Sequence, residues 1–256
     1  MSQLISGLVS ITFRALSPQQ VIDLVVQAKL RQIEWGGDIH VPHGDLARAK
    51  EVHQRTGDAG LSIAAYGSYY RLGESDAKGL PFERVLETAV ALGAPAIRVW
   101  AGGKGSRDAS ATERSDTIAD AIRIVRLAED AGVSICLEYH DGTLADTRES
   151  VRRLMEEIHH PNLAFLWQPS HGETADDGVA RLRDILPRLR HVHVFHWWPN
   201  PAHRRPLAEG EERWLAYLDV LRGTGKPIPC LLEFVRDDSP EQFLQDAATL
   251  LRWIAA

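Results

Sequence analysis

Four short segments of the sequence each contain a side chain that could bind a metal ion or move a proton. Glu138 lies in "SICLEYH", Glu233 in "PCLLEF", His193 in "HVHVFHWW", and Gln168 in "LWQPSH", with His171 three residues further on. A carboxylate that closes an apolar segment is costly to bury unless it is paired or binds a metal ion. Carboxylate and amide oxygens with an imidazole nitrogen suit Mn²⁺ or Mg²⁺, and Zn²⁺ or Co²⁺ are also compatible. The predicted ligands of a divalent metal ion are therefore Glu138, Gln168, His193 and Glu233.

Each of these residues also has a purely structural interpretation. Either glutamate could form a buried ion pair with an arginine such as Arg98, and an isolated histidine in a strand is usually a hydrogen-bonded core residue. We prefer His193 to His191 as a ligand because His191 lies one layer deeper along the same predicted strand face.

Two alternating patterns predict the elements that position these residues. Short apolar segments predict the strands Ile5–Thr12, Gln32–Trp35, Ser62–Tyr66, Ala96–Trp100, Ser134–Tyr139, Leu163–Trp167, His191–Phe195 and Cys230–Phe234. Segments with apolar residues three and four apart predict the helices Ser17–Leu30, Asp45–Ala59, Phe82–Leu92, Ala111–Ala131, Thr147–Ile158, Ala175–Leu186, Gly210–Arg222 and Pro240–Ile254. With no Pro/Ser-rich linker between these units, residues 1–256 are predicted to form a single α/β domain, a closed (β/α)8 TIM barrel. Active sites of such barrels lie at the C-terminal ends of the strands, where the predicted ligands fall.

Composition and charge exclude several classes of function. Hydrophobic residues make up 44% and charged residues 25% of the 256 residues, which is ordinary for a globular protein with a large core. The net charge of −6 and the lack of long basic runs argue against nucleic-acid binding. The N-terminus lacks a signal-peptide pattern and no apolar run approaches about 18 residues, so we expect a cytoplasmic protein that does not bind membranes. Cys136 and Cys230 lie in apolar segments and are predicted to be buried, reduced thiols.

Several segments resemble one known family, the xylose isomerase-like TIM barrel superfamily of sugar isomerases and epimerases. They are "IEWGGDIHVPHGD", "LGAPAIRVWAGG", "LEYHDGT", "HVHVFHWW" and "RRPLAEGEERWLAYLDVL", and the resemblance covers nearly the whole chain. The superfamily includes ketose 3-epimerases, hydroxypyruvate isomerases, inosose dehydratases and 3-dehydroshikimate dehydratases. Its metal set of Glu, Asp, His and Glu corresponds to Glu138, Gln168, His193 and Glu233. An amide therefore stands where the family has an aspartate.

The resemblance implies a divalent-metal-dependent isomerase or epimerase that acts on a keto sugar or polyol. Glu138 and Glu233 would move a proton next to the carbonyl group through an enediolate intermediate. His171 would contact the substrate, as would Arg204 or Arg205, of which Arg205 fits the position before "PL" better.

A dehydratase or lyase of the same architecture is the second interpretation. It would expel a β-hydroxyl group, with His140, His171 or His196 as the general acid. A non-catalytic sugar-binding barrel with a degraded metal site is the third, and an endonuclease of the same superfamily is a more distant one that the acidic charge disfavours.

Six aromatic residues lie at or just past the strand ends and as a group suit the apolar faces of a sugar or cyclic polyol, namely Trp35, Tyr66, Tyr69, Trp100, Trp197 and Trp198. Tyr66 and Trp100 are the ones expected to contact substrate, together with His140 and His196. The segment "AGGKGS" lacks the spacing of a phosphate-binding loop, so an unphosphorylated substrate is expected. The expected partner is thus a small carbohydrate or polyol, and a homo-oligomer is left open.

Overall fold

The computed structural model describes residues 4–255, which form a closed barrel of eight parallel strands in sequential order. The strands are β1 Leu4–Val9, β2 Gln32–Gly36, β3 Ser62–Arg71, β4 Ala96–Trp100, β5 Ser134–Glu138, β6 Leu163–Trp167, β7 Leu189–Val194 and β8 Ile228–Leu232. The helices are α1 Pro18–Gln27, α2 Leu46–Asp58, α3 Phe82–Leu92, α4 Ala111–Asp130, α5 Arg148–Ile158, α6 Ala175–Ile185, α7 Glu211–Arg222 and α8 Pro240–Ala255. Each strand is followed by a helix, so the predicted (β/α)8 barrel is confirmed.

Local sequence signals set the helix ends. Ser17 caps α1 with a capping box to Gln20, since each residue's side chain accepts a hydrogen bond from the backbone of the other. Gly93 ends α3 with a φ of 70°, a left-handed conformation that glycine adopts without steric cost.

Side-chain alternation divides each strand between an outer and an inner surface. On the outer surface, Trp167 of β6 packs against Trp214 and Tyr217 of α7, with ring centroids 6.2 and 4.7 Å away. On the inner surface, small or apolar side chains form the floor of the barrel, namely Ala65, Ala96, Cys136 and Leu166. Charged side chains lie above this floor, so the polar residues of the interior are concentrated towards the C-terminal ends of the strands.

Two strands differ from their predicted lengths by more than one residue. Strand β1 stops at Val9, and Ser10–Phe13 form a short 3-10 turn instead of a longer strand. Strand β3 continues to Arg71 with an irregular register against β4 between Gly67 and Tyr70. Tyr69 has a φ of 56° in this irregularity, which turns its side chain towards the mouth of the barrel.

Both cysteines, Cys136 and Cys230, are buried and free, as predicted. Across residues 4–255, no helix is both long enough and apolar enough to cross a membrane.

Candidate active site

A cavity of about 230 Å³ opens at the C-terminal ends of the strands. The sequence-predicted site residues that line it are Trp100, Glu138, His140, Gln168, His171 and Glu233. His193 lies beneath the cavity, fully buried, with its Nδ1 atom 3.3 Å from Oε2 of Glu233. The structure therefore brings the four predicted metal ligands to one end of the barrel.

Two residues expected to contact substrate lie elsewhere. Tyr66 is on the outer surface of β3, where its hydroxyl donates to the backbone oxygen of Val41 and lies 2.7 Å from Nδ1 of His43. His196 does not line the cavity. Its ring packs against Gly210, where a side chain would clash because an added Cβ would lie 2.7 Å from Nδ1 of His196. Neither side chain is placed to reach a molecule in the cavity.

The two candidate arginines also lie outside the cavity. Arg205 points outward and donates from Nε to the backbone oxygen of Trp198. Arg204 pairs with Asp238 at 2.6 Å, and its guanidinium lies 4.8 Å from the ring centroid of Phe234, a cavity wall residue. Arg204 is thus the nearer of the two, although the spacing before "PL" favoured Arg205.

Arg98 of β4 joins two of the buried carboxylates. Its Nε lies 2.8 Å from Oε1 of Glu34, and its Nη1 lies 2.5 Å from Oε2 of Glu138. Burial alone would raise the pKa of both glutamates. At Glu34 the charges of His193 and Arg98 outweigh the effect of burial, and at Glu138 the charge of Arg98 is the largest effect that opposes burial. The pKa of each glutamate is therefore lowered, and both are ionised. The buried ion pair with Arg98 that was the structural interpretation of Glu138 is therefore present.

Glu138 is held by donors on both of its oxygens. Besides Arg98, the indole Nε1 of Trp100 donates to Oε2, and the amide Nε2 of Gln168 donates to Oε1 at 3.1 Å. The same Gln168 nitrogen also donates to the backbone oxygen of Tyr139 at 3.1 Å. The carboxylate of Glu138 is therefore held in one orientation, and both of its oxygens already accept hydrogen bonds.

Glu233 is in a different environment. It lines the cavity at the end of β8, and within residues 4–255 its carboxylate has one close polar partner, Nδ1 of His193 at 3.3 Å. The geometry at Nδ1 is not that of a hydrogen bond. Glu233 is thus the less constrained of the two predicted catalytic glutamates.

The two histidines of β7 share one carboxylate. Nε2 of His191 lies 2.9 Å, and Nε2 of His193 lies 3.1 Å, from Oε2 of Glu34. Burial would lower the pKa of both rings. At His193, Glu233 and Glu34 outweigh burial and raise the pKa to about 10, whereas burial dominates at His191 and lowers its pKa. Of the two histidines, His193 alone lies close to Glu233.

The donor atoms of this region fit a divalent metal ion. Nδ1 of His193 is buried without a hydrogen-bond partner and faces Glu233. The charged side chains nearby are Arg98, Glu34, Glu138 and Glu233. One positive and three negative charges leave a net charge of −2 when His193 is neutral, which a divalent cation balances. The ligand atoms of Glu34, His191 and His193 also lie within 4.8 Å of one another, a second grouping that could hold an ion.

A histidine and an aspartate form a pair at the cavity wall. Nδ1 of His171 lies 3.3 Å from Oδ2 of Asp141, and the ring stacks on Trp197 with centroids 5.4 Å apart. Its Nε2 is buried without a hydrogen-bond partner. The hydrogen bond from His171 is the main cause of a lowered pKa at Asp141, so this carboxylate is ionised and orients the ring. His140 differs because its Nδ1 already contacts the backbone oxygen of Asp141 at 2.6 Å.

The sequence interpretation did not assign two of these residues to the site: Glu34 and Asp141. Glu34 had a signal, because the alternation of "QIEWG" sends Ile33 and Trp35 to the helices and leaves a carboxylate on the inner face. Tyr69 was predicted only as one of the aromatic residues near the strand ends, and its place in the cavity wall depends on the irregularity in β3.

Comparisons with known proteins give the family. A family model described as xylose isomerase-like TIM barrel matches residues 22–254. A 3-dehydroshikimate dehydratase from Bacillus anthracis is 35% identical over 98 residues, which are 38% of this chain and 35% of that protein. An inosose dehydratase from Yersinia enterocolitica is 27% identical over 106 residues, which are 40% of this chain and 34% of that protein. The matched segments therefore span only about a third of the length of these curated relatives.

The crystal structure of a probable 3-DHS dehydratase from Bacillus anthracis has a TM-score of 0.79 and 21% identity, and the match covers 97% of this chain and 98% of that one. At this identity the structural likeness supports the fold. Because the family model matches almost the entire chain, the protein belongs to the xylose isomerase-like TIM barrel family.

Proposed function

We propose that this protein is a divalent-metal-dependent dehydratase that removes water from a neutral, polyhydroxylated cyclic ketone. The observation that carries the proposal is the unequal environment of Glu138 and Glu233. An epimerase of this architecture needs two bases, one on each face of the substrate, whereas an elimination needs one base and a separate acid. The second interpretation of the sequence is thus favoured over the first, the isomerase or epimerase.

Glu233 is the base in this proposal. Glu138 is held by Arg98, Trp100 and Gln168, and these hydrogen bonds to its charged form make it a poor proton acceptor. Glu233 lines the cavity with only His193 close to its carboxylate. Glu138 therefore serves as a fixed, negatively charged ligand.

His171 is the acid. Asp141 orients its ring through Nδ1, and the proposal assigns Nε2, which has no hydrogen-bond partner within residues 4–255, to the leaving hydroxyl group of the substrate. Glu233 takes the proton from the carbon next to the carbonyl, and that electron pair forms a carbon–carbon double bond. The hydroxyl group on the adjacent carbon leaves with the proton of His171 as water, giving an unsaturated ketone. When bound, a divalent ion supplies Lewis-acid stabilisation of the negative charge that develops on the carbonyl oxygen.

The relatives support the same choice of reaction. The two curated proteins that match this chain are named as a 3-dehydroshikimate dehydratase and an inosose dehydratase. Those names differ in one chemical respect that bears on the substrate here, since dehydroshikimate carries a carboxylate and an inosose is neutral.

Charge pairing around the cavity favours a neutral substrate. Arg14 pairs with Asp38, Arg204 pairs with Asp238, and Arg98 pairs with two glutamates. Each of these guanidinium groups is thus already matched to at least one carboxylate. A substrate carboxylate would have to displace one of these pairs to find a counter-charge.

The cavity walls also carry negative charge of their own. The carboxylates that line the cavity are Glu138, Asp141 and Glu233, against the guanidinium groups of Arg14 and Arg98. Aromatic rings provide the remaining surface, with Tyr69 edge-on to Trp100 at 5.4 Å. Such rings pack well against the C–H faces of a polyol ring. The walls therefore suit hydroxyl groups and ring faces better than an anion.

An assay of three substrates tests the proposal. The Mn²⁺-loaded protein is incubated separately with an inosose, with 3-dehydroshikimate and with D-allulose, and products are followed by ultraviolet absorbance and mass spectrometry. We expect loss of water from the inosose, and no loss with the isosteric variant Glu233→Gln. Epimerised allulose without any dehydration would overturn the dehydratase assignment. Dehydration of 3-dehydroshikimate alone would retain the reaction but overturn the neutral substrate.

The cytoplasmic location stays a prediction from the sequence, and a homo-oligomer stays open.

A further inference from the structure

We propose that Glu34 is a positioning residue that sets the hydrogen placement on His193, so that Nδ1 and not Nε2 is the nitrogen presented to a metal ion. The inference rests on the metal site of the proposed function but not on its reaction. Glu34 is on β2 and His193 on β7, so the contact crosses the interior of the barrel.

The hydrogen bonds of Glu34 define which nitrogens carry hydrogen. An ionised carboxylate can only accept hydrogen bonds. Oε2 of Glu34 lies 3.1 Å from Nε2 of His193 and 2.9 Å from Nε2 of His191, so both rings carry a hydrogen on Nε2. Nδ1 of His193 is left as the nitrogen whose proton a metal ion would displace, and it lies 3.3 Å from Glu233.

Arg98 prevents Glu34 from turning. Its Nε occupies the other carboxylate oxygen, Oε1, at 2.8 Å, while its Nη1 reaches Glu138 at 2.5 Å. Glu34 is fully buried, and Arg98 is 2% exposed, so no water competes for these contacts. One continuous chain of contacts therefore links two predicted ligands, Glu138 and His193, through Arg98 and Glu34. Such partners of a ligating histidine fix its orientation and tautomer.

The alternative is that Glu34, His191 and His193 themselves hold the ion. Their ligand atoms lie within 4.8 Å of one another, but none of the three side chains lines the cavity. All three side chains are also fully buried, whereas Glu233 lines the cavity. The geometry therefore favours His193 and Glu233, and not the buried cluster, as residues that would hold the ion.

The isosteric variant Glu34→Gln tests the proposal, because its amide cannot accept hydrogen bonds from Arg98 and from both histidines at the same time. If the amide oxygen stays towards Arg98, the amide NH2 faces both histidine rings and forces the hydrogen of His193 from Nε2 to Nδ1. If the oxygen turns towards the rings, the NH2 faces the Nε hydrogen of Arg98. The first orientation removes the arrangement that presents Nδ1, and the second keeps that arrangement only by placing two donors against each other at Arg98.

The experiment uses metal ions alone and needs no substrate. Mn²⁺ affinity is measured by calorimetry for the wild type and Glu34→Gln, and for His191→Gln as the matched control inside the same cluster. Histidine ¹⁵N NMR of the Zn²⁺-loaded wild type identifies the bound nitrogen of His193. We expect binding through Nδ1, a loss of Mn²⁺ affinity of about 10- to 100-fold in Glu34→Gln, and little change in His191→Gln.

Several results would overturn the inference. Zinc bound through Nε2 of His193, or an equal loss of affinity in His191→Gln, would place the ion in the inner cluster with Glu34 as a ligand. Unchanged affinity in a folded Glu34→Gln would remove its positioning role. Should Glu34→Gln fail to fold, the ¹⁵N assignment in the wild type decides the question. Correct metal binding without dehydration would overturn only the proposed reaction, and a wild type that binds neither ion would overturn both proposals.

Discussion

The amide nitrogen of Gln168 donates a hydrogen bond to Oε1 of Glu138 at a distance of 3.1 Å. The family resemblance places an aspartate at position 168, and a carboxylate there would face Glu138 with no hydrogen to donate. Gln168 therefore stabilises the glutamate that an aspartate would repel. Because the nitrogen of Gln168 makes this hydrogen bond, its oxygen is the atom that could bind a metal ion.

We expect Gln168→Asp to bind Mn²⁺ more tightly, on the order of tenfold, because it adds one negative charge next to the cation. Without metal, the same variant should unfold at a lower temperature than the wild type, since two carboxylates would then lie side by side. Calorimetric titration and thermal unfolding measure the two effects. Gln168→Asn has the length of aspartate without the charge and is the matched control. Equal Mn²⁺ affinities of the two variants would show that residue 168 is not a ligand.

Replacing His171 should separate the two halves of the proposed reaction. In His171→Gln, loss of water from an inosose is expected to slow by about 10²- to 10⁴-fold, because the leaving hydroxyl group has lost its acid. Exchange of the carbon-bound proton with D₂O should continue, because Glu233 still removes it. Mass spectrometry follows both processes in one sample.

Glu233→Gln is the control for that experiment and should abolish both exchange and loss of water. An equal loss of exchange in His171→Gln would instead mean that His171 binds the substrate and does not act as the acid. Retained exchange in Glu233→Gln would remove Glu233 from the mechanism.

Arg98→Met should destabilise the metal-free protein by about 3–5 kcal/mol, because it leaves the buried carboxylates of Glu34 and Glu138 without their counter-charge. Added Mn²⁺ should raise the unfolding temperature of the variant more than that of the wild type, since the ion replaces the lost positive charge. Arg98→Lys keeps the charge and should lose less stability. If Mn²⁺ raises all three unfolding temperatures equally, Arg98 does not share in the charge balance of the site.

Much of the barrel could be predicted because its strands and helices follow simple periodicities. Strands β4 and β6 have the predicted bounds, since Ala96–Trp100 and Leu163–Trp167 are short apolar segments between turns. Alternation also placed Glu138 on the inner face. Applied to β3, the same alternation would have sent Tyr66 outward, where it lies.

The remaining parts of the site depend on contacts that no periodicity encodes. Tyr69 reaches the cavity through a left-handed residue in an irregular strand. Arg98 of β4 pairs with Glu34 of β2, two strands away, and this contact depends on the order of the strands in the sheet. The contact of His171 with Asp141 joins two loops of independent conformation. These are tertiary relationships, and local sequence carries no signal for them.

Asp246 of α8 should make the stability of the fold depend on pH. Its Oδ1 accepts hydrogen bonds from the backbone nitrogen of Leu207 and from Nε2 of Gln242, and burial raises its pKa from 3.8 to about 6. A carboxyl group with a raised pKa in the folded state stabilises that state fully below its unfolded pKa, and the stabilisation is lost as the pH rises through about 6. The ionised group therefore costs the folded protein on the order of 3 kcal/mol near neutral pH.

Asp246→Asn keeps the oxygen that accepts both hydrogen bonds but cannot ionise. We expect this variant to be more stable than the wild type in urea unfolding at about pH 8, with the advantage shrinking towards zero near pH 4. Asp219→Asn changes the net charge equally at an exposed position of α7 and should show no such pH-dependent gain. A constant difference between Asp246→Asn and the wild type across this range would show that Asp246 does not titrate differently in the folded and unfolded protein.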